Sequence, residues 1–128
     1  MNILLDTCVF LWMADEHRRL SATAKAILED PANTLRLHQV TTWEIQIKNS
    51  LGKLPLPQPP SVAIPAAIER LGLDYRTLDD PTIYTLEKVP HLHRDPFDRL
   101  LVAHAIYEGL PILTPDPLIS PYPVRVIW

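Results

Sequence analysis

The sequence has one cysteine and lacks the long apolar segments that would assign it to several common classes of protein. Cys8 is the only cysteine among the 128 residues, which excludes an internal disulfide and a cysteine-based zinc site. A single cysteine suits a reducing cytoplasm, where we expect the protein to reside. No stretch is both apolar and long enough to cross a bilayer, so we do not expect a membrane protein.

The composition that remains is that of an ordinary globular domain. The chain is 47% hydrophobic and 21% charged, and its length predicts one domain spanning residues 1–128. Its apolar N-terminus lacks a basic leader region and carries Asp6 where a signal peptide needs uninterrupted apolar residues. We therefore interpret this segment as the first strand and helix of the fold.

Apolar runs and helical patterns alternate along the chain. Strands are predicted at Asn2–Leu5, Leu35–Val40, Leu73–Leu78, Pro111–Thr114 and Val124–Ile127. Helices are predicted at Cys8–Ala14, from the Ser21 cap to Asp30, from Thr41 or Thr42 to about Leu51, at Ser61–Leu71, from Asp80 to about Lys88 and from Asp95 to Gly109. The proline-rich segment Lys53–Pro60 is predicted to be an extended loop.

The third predicted helix has an apolar stripe. Thr41 or Thr42 is expected to cap this helix, and we interpret Trp12 and Trp43 as core residues. The face expected in the core carries apolar residues spaced by four, namely Trp43, Ile47 and Leu51.

Alternating strands and helices predict an α/β fold with a mainly parallel sheet. In such sheets ligands bind beyond the carboxyl ends of the strands. Asp6 follows the first strand, and Asp116 follows the strand that ends at Thr114. We therefore expect both carboxylates to face one crevice, although they are far apart in the sequence.

Each candidate acid also has a structural interpretation. Asp6 can cap a helix, Glu44 can pair with Lys48 four residues later, and Asp116 can be a turn residue between two prolines. Asp95 is well placed as the N-cap of the helix that Pro96 begins, and we assign it to capping. Asp98 in the first turn of that helix is expected to project toward the crevice.

Clustered carboxylates are the ligands that Mg²⁺ and Mn²⁺ prefer, and these ions assist phosphodiester hydrolysis. The net charge of −3 runs against nucleic-acid binding, which normally uses a surplus of Lys and Arg. Setting aside Asp6, Glu44, Asp98 and Asp116 from the 15 acids leaves 11 against 12 basic residues. Each bound divalent ion adds two positive charges where phosphate would lie.

Four separated motifs, in this order, closely resemble the PIN-domain family and specifically its VapC-type toxins. They are Leu4-Leu-Asp-Thr, Trp43-Glu-Ile-Gln-Ile-Lys48 with Gly52-Lys-Leu, Asp95-Pro-Phe-Asp-Arg-Leu-Leu-Val-Ala103, and Ile112-Leu-Thr-Pro-Asp-Pro117. The resemblance runs nearly end to end. It implies an α/β/α sandwich and a Mg²⁺- or Mn²⁺-dependent endoribonuclease that hydrolyses RNA with metal-activated water.

The resemblance also implies roles for individual residues and partners. Asp6, Glu44 and Asp98 match the core metal-site acids, and Asp116 matches a more variable fourth acid with Thr114 as its polar companion. Arg94 and Arg99 are candidate phosphate contacts, as is Thr114. The implied partners are a cognate antitoxin, a second copy of the chain, and operator DNA reached only through the antitoxin.

Two other functions remain possible at this point. A non-catalytic regulatory protein could keep the fold and pair with an antitoxin on operator DNA, but the retained acids argue against it. A metal-dependent phosphatase of another Rossmann-like family has little support, because Asp6-Thr7-Cys8 lacks the two acids flanking one residue that a phosphoaspartate mechanism uses.

Overall fold

The computed structural model describes residues 1–128 and has a central sheet of five parallel strands. The strands lie in the order β3-β2-β1-β4-β5 and every neighbouring pair is parallel. Their bounds are β1 Asn2–Leu5, β2 Thr34–His38, β3 Asp74–Arg76, β4 Ile112–Leu113 and β5 Val126–Ile127. The predicted α/β fold with a mainly parallel sheet is confirmed.

Six α-helices connect and cover the strands. They are α1 Thr7–Asp15, α2 Ala22–Glu29, α3 Gln39–Ser50, α4 Pro60–Leu71, α5 Asp80–Thr85 and α6 Pro96–Glu108, with short 3₁₀ turns at His17–Arg19 and Leu86–Lys88. The predicted caps Ser21 and Asp95 both accept hydrogen bonds from backbone N–H groups at their helix starts. None of the helices is both long and apolar enough to cross a lipid bilayer.

The sheet separates two hydrophobic cores. Ile3 and Leu5 of β1 pack in the core that includes Phe10, Ile45 and Ile64. Alternate residues of a strand point to opposite faces, so Leu4 packs instead in the second core, built largely on the apolar side of α6. Burial on both faces explains why Ile3–Leu5 of β1 and Ile112–Leu113 of β4 are entirely aliphatic, and it produces the expected α/β/α sandwich.

Helix α3 begins earlier than predicted. His38 is its N-cap, because the His38 Nδ1 atom accepts a hydrogen bond from the Val40 N–H group at 3.0 Å. The predicted cap at Thr41 or Thr42 is therefore wrong, and β2 ends at His38 rather than Val40. The earlier start places Thr41 inside the helix, where its side chain is fully buried.

The apolar stripe of α3 faces outward, contrary to prediction. Trp43, Ile47 and Leu51 are 46%, 41% and 63% exposed. Val40, Thr41, Glu44 and Ile45 form the buried face instead. Residue spacing defines a helix face but does not say which face packs inward, and here the inner face carries two polar residues. Trp12, also expected in the core, is half-buried and packs against the first core and Trp128, whose ring centroid is 5.9 Å from its own.

Two buried histidines pack together where β2 and α3 meet α6. The rings of His38 and His104 have centroids 4.4 Å apart. The Nε2 atom of His38 and both ring nitrogens of His104 are buried without a hydrogen-bond partner. Both imidazoles are therefore held in a site that favours the neutral form.

Burial is the main cause that lowers the pKa of both histidines to about 4. The charge of His104 adds to this shift at His38, and Arg36 lowers both pKa values. Asp79 opposes the shift at both rings, and Arg76 and Asp74 have smaller and opposite effects on His104. In the unfolded chain each imidazole has a pKa near 6.5.

We expect His104→Leu to weaken the dependence of stability on pH. Between about pH 6.5 and pH 4 the unfolded chain binds protons at these histidines that the folded chain excludes, so the contribution of the two histidines to stability falls as the pH falls. The variant has lost one such group, so at pH 5 it should lose about 1–2 kcal/mol less than wild type, relative to pH 7. Urea unfolding at both pH values measures this difference, and parallel losses in the two proteins would contradict it.

Candidate active site

The candidate site lies at the carboxyl ends of the strands, where the direction of strand order reverses. From β1 the chain adds β2 and β3 on one side of the sheet, then β4 and β5 on the other. The reversal therefore falls between β1 and β4, the position at which open parallel sheets bind ligands. Asp6 follows β1, and Thr114 follows β4.

Asp6 combines capping with a buried site position. Its Oδ1 atom accepts a hydrogen bond from the Thr7 N–H group at 2.7 Å and so caps α1. Its Oδ2 atom accepts hydrogen bonds from the Thr114 hydroxyl at 2.6 Å and from the Cys8 thiol at 3.5 Å. Burial raises the pKa of Asp6, the bonds from Thr114 and Thr7 partly offset this, and the charge of Glu44 raises it again.

Thr114 links the acids that follow β1 and β4. Its hydroxyl donates a hydrogen bond to Asp6 and accepts one from the Asp116 N–H group at 3.0 Å. Thr114 is fully buried. Its hydroxyl is thus engaged with Asp6 and Asp116, and the expected phosphate contact of Thr114 stays a prediction. Asp116 is also a turn residue, since its Oδ1 atom accepts a hydrogen bond from the Leu118 N–H group.

Glu44 is held from both oxygens. The Thr7 hydroxyl donates to its Oε1 atom at 2.7 Å, and the Lys48 ammonium group pairs with its Oε2 atom. The Thr7 hydroxyl has a single proton, so the Thr41 hydroxyl, 3.0 Å away, donates to Thr7. The sequence predicted the Glu44–Lys48 pair as a surface interaction. In the structure the pair forms, but Glu44 is only 7% exposed.

Lys48 supplies a positive charge next to the carboxylates. Partial burial disfavours its charged form, but the hydrogen bond and charge of Glu44, with the charges of Asp95 and Asp98, leave the pKa of Lys48 raised. Lys48 thus stays protonated and supplies one positive charge to three carboxylates.

Asp98 lies in the first turn of α6 and faces the other acids. Burial raises the pKa of Asp98 to about 6. A hydrogen bond with His93 opposes this increase, whereas the charges of Asp95, Asp6 and Asp116 add to it. The Asp95 side chain accepts hydrogen bonds from the N–H groups of Phe97 and Asp98, so its predicted capping role agrees with the geometry.

Basic side chains line an open hollow beside Asp98. The hollow has a volume of about 500 Å³ and is lined by His91, Leu92, His93, Arg94 and Arg99. Arg94 is exposed. The guanidinium of Arg99, which is also an expected phosphate contact, donates to the carbonyl oxygens of Pro90 at 2.7 Å and Val89 at 3.4 Å. Arg99 thus holds the loop that carries Arg94.

The structure brings the four predicted acids to one crevice, but no group of three or more acidic, histidine or cysteine side chains is arranged to hold a metal ion. The donor chemistry fits a hard divalent cation, because carboxylate oxygens predominate and the pKa values of Asp6 and Asp98 are raised. An added positive charge would be favourable there. Thr7 and Lys48 engage the two oxygens of Glu44, so an ion reaches Glu44 only if one of these side chains shifts, whereas His93 engages only the Oδ2 atom of Asp98.

Sequence reasoning missed three residues that shape this crevice. Thr7 and Thr41 hold Glu44, and Tyr122 contacts His93. The position of Thr7 directly after Asp6 was a usable signal. Tyr122 had none, because its segment carries no helical or strand pattern. Burial and the charge of Asp6 raise the pKa of the Cys8 thiol, which agrees with its interpretation as a packing residue rather than a nucleophile.

Comparison with known proteins places these features among related folds. The PIN domain family model matches residues 3–120. Ribonuclease VapC16 of Mycobacterium tuberculosis is 37% identical over 67 residues, which cover 49% of this chain and 48% of that protein. The chain therefore spans about half the length of this curated relative.

Solved structures share the fold across almost the whole chain. VapBC2 from Rickettsia felis, bound to a DNA fragment from its promoter, aligns over 99% of this chain and 98% of that one, with a TM-score of 0.73 and 16% identity. FitAcB from Neisseria gonorrhoeae aligns over 98% and 96%, with a TM-score of 0.63 and 21% identity. At these identities the likeness shows the fold.

Thr114→Val should destabilise the protein by about 1–3 kcal/mol, because it leaves the buried Asp6 carboxylate and the Asp116 N–H group without their shared partner. Thr82→Val is the matched control, since the Thr82 hydroxyl is equally buried but has no hydrogen-bond partner. The control should leave stability unchanged or raise it. Urea unfolding of both variants measures this, and equal losses would contradict the bridging role of Thr114.

Proposed function

Because this chain belongs to the PIN domain family, we propose that residues 1–128 form a divalent-metal-dependent endoribonuclease domain that acts as the toxin of a toxin–antitoxin module. The observation that carries this proposal is the crevice at the β1–β4 reversal, where Asp6, Glu44 and Asp98 are buried together beside Asp116. Burial raises the pKa values of Asp6 and Asp98, the charge of Glu44 adds to the increase at Asp6, and the charges of Asp95, Asp6 and Asp116 add to it at Asp98. This arrangement is costly unless a cation compensates it.

In this proposal Asp6 and Asp98 would hold Mg²⁺ or Mn²⁺, and Glu44 and Asp116 would complete the site. When bound, such an ion supplies activation of water and polarisation of a phosphodiester. The residues around it have orienting roles. Thr114 fixes one oxygen of Asp6, Thr7 fixes one oxygen of Glu44, and Lys48 supplies a positive charge near both Glu44 and Asp98.

The basic hollow beside Asp98 supports RNA as the substrate. Arg94 has no carboxylate partner and lies on the rim next to the acids, so it is free to bind a phosphate. His91 is exposed on the same loop. We therefore assign the phosphate contact to Arg94, and we give Arg99 the role of supporting the loop through the carbonyl groups of Val89 and Pro90.

The partners and location follow from the same reasoning. A cognate antitoxin is the expected partner, because the similar structures include VapBC assemblies. We propose that the chain reaches operator DNA only through that antitoxin, that it pairs with a second copy of itself, and that it works in the cytoplasm. The exposed apolar face of α3, formed by Trp43, Ile47 and Leu51, provides surface for one such contact.

The proposed activity predicts metal-dependent cleavage of cellular RNA. Incubated with total RNA and Mn²⁺ or Mg²⁺, wild type should give discrete fragments, and chelator should abolish them. Asp6→Asn and Asp98→Asn should each reduce the cleavage rate at least about 100-fold, because they remove the charge that holds the cation. At Asp6 the amide keeps an oxygen that can still cap α1.

Asp30→Asn serves as the control for these variants. Asp30 is an exposed acid whose Oδ1 atom accepts the Ala32 N–H group, at the opposite end of the sheet. The Asp30→Asn protein should cleave RNA at the wild-type rate. If folded wild type were inactive with both metals, or if the crevice variants cleaved as fast as the control, a non-catalytic regulatory role with an antitoxin on DNA would replace the nuclease.

Arg94→Ala should weaken RNA binding with little effect on kcat. We expect KM to rise about three- to tenfold. The slope of log kcat/KM against the logarithm of the salt concentration should also become shallower by about one unit, the contribution of one phosphate contact. Arg18→Ala is the control, because Arg18 is exposed on the 3₁₀ turn after α1, away from the crevice. A KM unchanged by Arg94→Ala would remove this residue from the substrate path.

A further inference from the structure

A chain of hydrogen bonds connects the C-terminal segment with Asp98. The Tyr122 hydroxyl lies 2.6 Å from the Nδ1 atom of His93, and the Nε2 atom of His93 lies 3.0 Å from the Oδ2 atom of Asp98. Arg99 reaches the Tyr122 hydroxyl at 3.5 Å. Tyr122 is only 3% exposed, and its ring packs in the second hydrophobic core.

With a neutral His93 imidazole, the chemistry of these groups gives the chain of hydrogen bonds one direction. The Asp98 carboxylate can only accept, so the Nε2 atom of His93 carries the proton and donates it. In the neutral imidazole the Nδ1 atom must then accept, and the Tyr122 hydroxyl donates to it. The hydroxyl oxygen accepts from the guanidinium of Arg99, which has only donors. Every group thus has a compatible role.

We propose that Tyr122 and His93 are positioning residues that orient the Asp98 carboxylate for a divalent cation. The chain occupies the Oδ2 atom of Asp98, and no hydrogen bond from the protein reaches the Oδ1 atom. One oxygen is therefore fixed while the other stays free to bind the ion. Hydrogen bonds to a ligating carboxylate commonly tune metal affinity in this way.

The arrangement anchors a side chain on α6 to two segments outside that helix. His93 belongs to the loop before α6, and Tyr122 belongs to the segment between β4 and β5. The tyrosine ring is fixed by apolar packing, so its hydroxyl gives the imidazole a rigid support. This inference rests on the proposed function, because it assigns Asp98 to a metal site.

The test measures Mn²⁺ affinity from the shift in melting temperature as the metal is titrated, without RNA. Tyr122→Phe keeps the packed ring and removes only the hydroxyl, and it should weaken the apparent affinity on the order of tenfold. His93→Leu should weaken it about 10- to 100-fold, and His93→Gln should recover part of that loss by restoring an N–H donor. In the His93→Leu protein, adding Tyr122→Phe should cost less than about twofold, because the hydroxyl acts through His93.

Tyr75→Phe is the matched control. The Tyr75 hydroxyl makes a side-chain hydrogen bond to Thr42 at 2.9 Å and is not linked to any of the four acids. It should leave Mn²⁺ affinity unchanged. A wild type that shows no metal-dependent shift would contradict the proposed function itself. A wild type that binds Mn²⁺ while Tyr122→Phe binds it equally well would overturn the positioning role alone, as would equal effects of Tyr122→Phe with and without His93.

A second measurement stays decisive if Tyr122→Phe does not fold. Nitrogen NMR of the wild-type imidazoles, assigned by comparison with His93→Gln, should show His93 with its proton on the Nε2 atom. A proton on the Nδ1 atom of the neutral ring would reverse the direction of the chain and overturn the proposal.

Discussion

The burial of several carboxylates in one crevice is the constraint on which the rest of the site depends. Burial raises the pKa values of Asp6 and Asp98, and the charges of neighbouring carboxylates raise both values further. The polar groups around the crevice offset this cost. Thr114 donates to Asp6, Thr7 donates to Glu44, and His93 bonds Asp98. These contacts leave the acids ordered but short of positive charge, which is the condition that favours a cation.

Parallel topology places this cluster at helix starts. In a parallel sheet the helices that follow β1 and β2 begin at the same edge, so Asp6 caps α1 and Glu44 lies in the first half of α3. Asp98 occupies the first turn of α6. Unpaired N–H groups at helix N-termini favour negative charge, which adds a further favourable contribution to acids that would otherwise repel one another. Capping and site chemistry are thus compatible roles of the same carboxylates.

Two helices bury polar residues on their inner faces. Helix α3 buries Thr41 and Glu44 and leaves Trp43 and Ile47 outside, because its inner side supports the acids as well as the core. Helix α6 buries His104 on its inner side, next to His38. In both helices the buried polar residues lie within an otherwise apolar face, so hydrophobic periodicity gave an incomplete account of their orientation.

The sequence alone determined the alternation of strands and helices, the helix caps at Ser21 and Asp95, and the expectation that Asp6 and Asp116 meet at one sheet edge. These features depend on local propensity and on the geometry of parallel strands, which short segments encode. Only the tertiary structure decided that α3 starts after His38, that Trp43 faces outward, that Thr114 orients Asp6, and that Tyr122 supports Asp98 through His93. Those outcomes depend on which side chains from distant segments compete for the same buried space and the same hydrogen-bonding groups, and that competition exists only once the chain is folded.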